Sequence, residues 1–118
     1  MALGFWNRNK KRSAETEAML MEAAEYLKDR PKVVWNPYPE YEPAIMNVLG
    51  SLECDIHYPS HYEKLKDKAI ESLSLREIAT MYTRMLRGER FCDGFIAENI
   101  EDGTLYRLVL RHAELLRK

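Results

Sequence analysis

Four of the five prolines in this 118-residue chain fall between residues 31 and 43, in a run that reads Arg-Pro-Lys-Val-Val-Trp-Asn-Pro-Tyr-Pro-Glu-Tyr-Glu-Pro from Arg30. No helix can pass through such a run, because each proline lacks an amide proton and its ring collides with the preceding turn. The chain on both sides is patterned for helices, so the run is expected to be an extended or polyproline connection between them. Val33, Val34 and Trp35 are too few to assign as a strand, and no alternation elsewhere is long enough for a sheet.

Leu20, Ala23, Ala24 and Leu27 recur at helical spacing and predict a first helix from about Ala14 to Asp29, with Ser13 as its N-cap. Ile45, Val48, Leu49 and Leu52 repeat the stripe in a helix that opens at Pro43 and ends near Cys54. Ser60 is expected to cap a short polar helix that runs through Lys68. Ser74-Leu-Arg-Glu77 reads as a capping box, in which each end side chain satisfies a free amide of the first turn. The helix it opens turns Leu75, Ile78, Tyr82 and Met85 inward and Thr80 and Thr83 outward, and Gly88 is expected to stop it. Phe91, Cys92, Phe95 and Ile96 suggest another short helix. Thr104 is expected to cap a last helix carrying Leu105, Leu108, Val109, His112, Leu115 and Leu116. The expected fold is all-α: a compact single domain of five or six helices, residues 13–118, with an extended proline-rich connection. A basic tail, residues 1–12, precedes it. Its aromatic tip and four cations suit a membrane surface or nucleic acid, but a loose terminus is the expected state.

The formal charge is −1, so no global basic field asks for nucleic acid. No apolar run approaches the roughly 20 residues of a membrane span. Two cysteines are too few for a disulfide framework, and with no signal peptide a reduced, cytoplasmic setting is expected.

The segment from Arg87 to Gly94, Arg-Gly-Glu-Arg-Phe-Cys-Asp-Gly, packs three charged side chains, a ring and a thiol between two glycines, with Arg87 just ahead of them. As a binding site, Arg87 and Arg90 would offer forked donors, oriented by Glu89 and Asp93. As a structural junction, Phe91 would plug the core, Cys92 would pack as a small hydrophobe, and the charges would pair with one another. Together with the apolar stretch after it and Glu-Asp-Gly-Thr-Leu at 101–105, this segment resembles the shared motif of a family of small uncharacterised bacterial and phage-borne domains. The resemblance covers mainly residues 73–116. It implies kinship of fold and a microbial or mobile-element source, and it carries no mechanism.

Three further groups are candidates. Trp35, Tyr38 and Tyr41 interleave with prolines and with Glu40 and Glu42, in a region without a lysine or arginine between Lys32 and Lys64; rigid aromatic side chains of this kind are favoured at interfaces. Cys54, His57 and His61 have C-x2-H-x3-H spacing, and Cys92 would supply a fourth zinc ligand. Arg107, Arg111 and Lys118, with Arg84 and Arg87, would form a basic face for nucleic acid. Cys92 as a nucleophile would need a base, and no enzyme signature surrounds it. No phosphate-binding glycine loop or serine-nucleophile elbow occurs.

The sequence thus predicts a non-catalytic protein-interaction module with a protein partner and no cofactor, in its narrower form a small regulator or inhibitor of nucleic-acid-processing machinery. Direct nucleic-acid binding is the first alternative and a zinc- or cysteine-dependent enzyme the second. The wide apolar arc of the last helix leaves a homodimer open.

Overall fold

The structure, a computed structural model, describes residues 2–117, with side chains from residue 14 onward. Six α-helices follow one another among the described residues: α1 Ala2–Leu27, α2 Pro43–Leu49, α3 Tyr58–Leu65, α4 Leu75–Phe91, α5 Phe95–Glu101 and α6 Thr104–Arg117. A 3-10 turn, Ile70–Ser72, leads into α4. The only strands in this region are β1 Val34–Trp35 and β2 Pro39–Glu40, an antiparallel pair of two residues each with Val34 opposite Glu40. The all-α expectation holds.

The core is the sum of the helical stripes. Leu20, Ala23 and Leu27 of α1 meet Ile45, Val48 and Leu49 of α2, then Ile78, Tyr82 and Met85 of α4, Ile96 and Ile100 of α5, and Leu105, Leu108 and Val109 of α6. α1 packs along α6, so helices far apart in the chain close the bundle.

Several element boundaries differ from the sequence expectation. α1 begins at Ala2, so Ser13 lies within a helix and is not its cap. The side chains of the basic tail, the whole of Met1 and Lys118 lie outside what is described. α2 ends at Leu49, with Gly50 as C-cap, because Gly50 and Ser51 turn back onto the carbonyls of Met46 and Val48. α3 begins at Tyr58 and not after Ser60, with Pro59 in its first turn, where a missing amide proton is harmless. Thr104 is the first residue of α6, and the Asp102 carboxylate accepts its amide.

The capping box is present. Ser74 Oγ accepts from the Glu77 amide at 3.2 Å, and Glu77 accepts from the Ser74 amide at 2.9 Å. Gly88, however, does not stop α4, which continues to Phe91. A Cβ on Gly88 would lie 2.4 Å from the Phe95 ring, so this glycine lets α5 approach α4 closely. Thr80 and Thr83 are buried and not outward-facing, because the Asp55 loop covers them.

Candidate functional site

The proline-rich connection lies over α5 and is fastened at both of its ends. Near the C-terminal end of α5 the Val33 amide donates to Glu101 at 3.1 Å, and the Arg30 guanidinium lies against Gly103. Near the N-terminal end the Trp35 indole rests on Gly94, where a Cβ would approach the ring to 2.5 Å. Gly94 also has φ +94°, a conformation that glycine adopts without penalty.

The tightest fastening is at Tyr41. Its hydroxyl donates to Glu89 Oε1 at 2.9 Å and accepts from the Ala97 amide at 3.1 Å. Glu89 in turn accepts from the Gly94 amide at 2.9 Å and from the Ile96 amide at 2.8 Å. One carboxylate therefore receives the free amides that open α5 and a phenol from the connection. Burial, and then the hydrogen bond to Glu89, raise the Tyr41 phenol above its ordinary pKa, so it stays protonated as a donor.

This arrangement corrects the expectation for the Arg87–Gly94 segment. Glu89 does not orient the arginines but caps a helix. Arg87 points its Nη2 toward Cys54 Sγ at 3.7 Å. Phe91 does not plug the core, for it is 88% exposed, and Cys92 is exposed beside it. Arg90 and Asp93 are exposed as well. A cavity of about 440 Å³ opens at this corner, lined by Met46, Leu86, Glu89, Arg90 and Ile96.

The two segments singled out in the sequence are thus one surface. Trp35 and Tyr41 sit on the α4–α5 corner itself, Tyr38, Glu40 and Glu42 are exposed on the hairpin and just beyond it, and Arg90 and Asp93 are exposed on the corner. Of eight large apolar side chains exposed among the described residues, five belong to the hairpin, the outer face of α2 or this corner: Val34, Trp35, Tyr38, Met46 and Phe91.

The zinc candidates do not converge. His61 Nδ1 is held by Asp55 Oδ2 at 2.7 Å, the His57 and His61 rings stand 6.1 Å apart, and Cys54 faces Arg87. Among the described residues no three His, Cys, Asp or Glu side chains are placed to hold a metal ion. No histidine there hydrogen-bonds Cys92: His112 is buried against the Tyr82 hydroxyl, its Nδ1 at 3.0 Å. The cations of the expected basic face are largely engaged. Arg107 makes a forked pair with Glu71, Arg111 bonds the Leu73 carbonyl and Glu114, and Arg84 stacks on the rings of Tyr62 and Phe95.

A network that sequence reasoning missed is centred on Asp55. Its carboxylate accepts from Thr80 Oγ1 at 2.6 Å, from the His57 amide at 3.0 Å and from His61, while its amide donates to Thr83 Oγ1 at 3.0 Å. Burial alone would raise the Asp55 carboxyl, but the hydrogen bonds from Thr80, His61 and the His57 amide outweigh it and hold the pKa down to about 2. The available signal was two threonines three residues apart on α4, flanking the core residue Tyr82.

No helix among the described residues is long and apolar enough to cross a membrane. No curated protein and no solved structure matches the chain. A family match does exist, and it takes in the N-terminal half that the motif at 87–105 does not reach: over residues 12–118 the chain belongs to a family of unknown function, DUF6508.

Proposed function

We propose that this protein is a non-catalytic protein-interaction module whose contact surface is the hairpin joined to the α4–α5 corner. The observation that carries this reading is Phe91, 88% exposed at the end of α4, on a corner fixed from beneath by Glu89, Tyr41 and Gly94. An exposed ring on a rigid base has little entropy to lose on contact, which is what an interface anchor requires. Tyr38 and Val34, 67% and 64% exposed, extend the apolar area, and Glu40, Glu42, Arg90 and Asp93 supply a polar rim.

In its narrower form the module regulates or inhibits nucleic-acid-processing machinery of microbial or mobile-element origin. The support is charge: residues 33–63 contain no lysine or arginine, and Glu40 and Glu42 face outward, which suits a partner with a basic groove. Direct nucleic-acid binding is less well supported, since Arg107 and Arg111 already have intramolecular acceptors.

The test is Tyr38→Ala/Phe91→Ala, which removes exposed rings and leaves the core intact. Capture of a specific protein from nuclease-treated microbial lysate should fall at least about ten-fold relative to the unaltered chain, with the circular dichroism spectrum unchanged. Undiminished capture by the double variant would refute this surface.

A further inference from the structure

A second cavity, of about 420 Å³, lies between α3 and the first turns of α4, away from the aromatic corner in sequence, and its lining includes His61, Lys64, Lys68, Arg76 and Glu77. Its carboxylates are committed. Glu77 accepts from Lys68 Nζ at 2.9 Å and from the Ser74 amide, and Asp55 behind His61 holds that ring through Nδ1. Arg76 and Lys64, in contrast, meet no acceptor among the described residues. Elsewhere among the described residues Lys28, Lys66, Arg107, Arg111 and Arg117 each meet a carboxylate, while Lys32 and Arg90, on other parts of the surface, do not. Two unpaired cations therefore converge on one cavity in a chain whose net charge is −1.

We propose that this cavity binds a low-molecular-weight phosphate monoester. A carboxylate has two oxygens in one plane, which a single guanidinium fork would satisfy. A tetrahedral phosphate presents further oxygens out of that plane and can engage donors from two helices at once. Arg76 supplies the fork from α4 and Lys64 a point charge from α3. His61, whose Nδ1–H is held by the Asp55 carboxylate, presents Nε2 as an acceptor for a protonated phosphate oxygen. The volume lies in the range of small-molecule sites.

The probe is inorganic phosphate, titrated into the full-length ¹⁵N-labelled chain at constant ionic strength, with chloride and acetate in parallel. Saturable shifts confined to the amides of residues 61–68 and 76–80 are expected. Arg76→Gln and Lys64→Gln should each weaken the apparent affinity about ten-fold, and Lys28→Gln should not. Non-saturating shifts, equal shifts with chloride or acetate, or an unchanged response in Arg76→Gln would overturn the proposal. Both side chains lack internal partners, so the variants keep the fold, and the same spectra verify it. The site shares no residue with the aromatic corner, so its failure leaves the interaction reading untouched.

Discussion

Glu89 receives two backbone amides and one phenol through a single carboxylate, so its removal leaves three groups to find new partners. Glu89→Ala should destabilise the fold by about 2–4 kcal/mol in urea titration, and Tyr41→Phe by about 1–2 kcal/mol. The two should be coupled in a double-mutant cycle, because each loses part of its role when the other is gone. Additive effects would mean that the Tyr41 hydroxyl is held by the Ala97 amide alone. The sequence marked both residues as suspicious, but for binding. Their actual role depends on contacts reaching five and seven residues past Glu89 through a turn, and on a partner 48 residues away, none of which a local pattern encodes. Asp55 was missed for the same reason: apart from the His57 amide two residues on, its partners are His61 of α3 and Thr80 and Thr83 of α4, which only the fold brings to it.

At the scale of the element, Gly88 separates propensity from packing. In an unobstructed helix, alanine in place of glycine would stabilise by about 1 kcal/mol. Here the added methyl meets a ring that also stacks under Arg84, so Gly88→Ala should instead lower stability by about 1–3 kcal/mol on thermal melting. A gain would show that Phe95 yields without cost. The same glycine explains why the end of α4 was misjudged: its place in the sequence signals a stop, while its cause is the neighbouring helix. Elements whose cause is local were legible. The Ser74–Glu77 box and the stripes of α1, α2 and α6 arise from spacing alone. Ser13 offered the first recognisable cap in the sequence, yet the helix already runs through it from Ala2.

For the whole molecule, His112 sets a pH limit. It is 1% exposed, its Nε2 has no hydrogen-bond partner among the described residues, and burial lowers its pKa from 6.5 to about 4. Below pH 6.5 the unfolded chain takes up a proton that the folded chain refuses, so stability falls as pH drops from 6.5 toward 4. The loss should reach roughly 3 kcal/mol, by the free energy of a pKa shift of that size. Urea titrations at pH 7 and pH 5 should capture about 2 kcal/mol of it, and Tyr82→Phe/His112→Leu, which replaces the pair with apolar groups, should be flat in that window apart from the carboxylates. A wild-type chain equally stable at both pH values would mean that His112 gains a partner when protonated.

The packing of α1 along α6, with Glu17 paired to Arg117, also orders events during synthesis. α1 leaves the ribosome early with its Leu20–Leu27 stripe uncovered; α2 can meet part of it soon afterwards, but the rest of the covering surface is translated only with α6. Until then the nascent chain must carry a partly bare apolar helix, which makes this stripe a natural handle for a chaperone that greets chains at the exit tunnel.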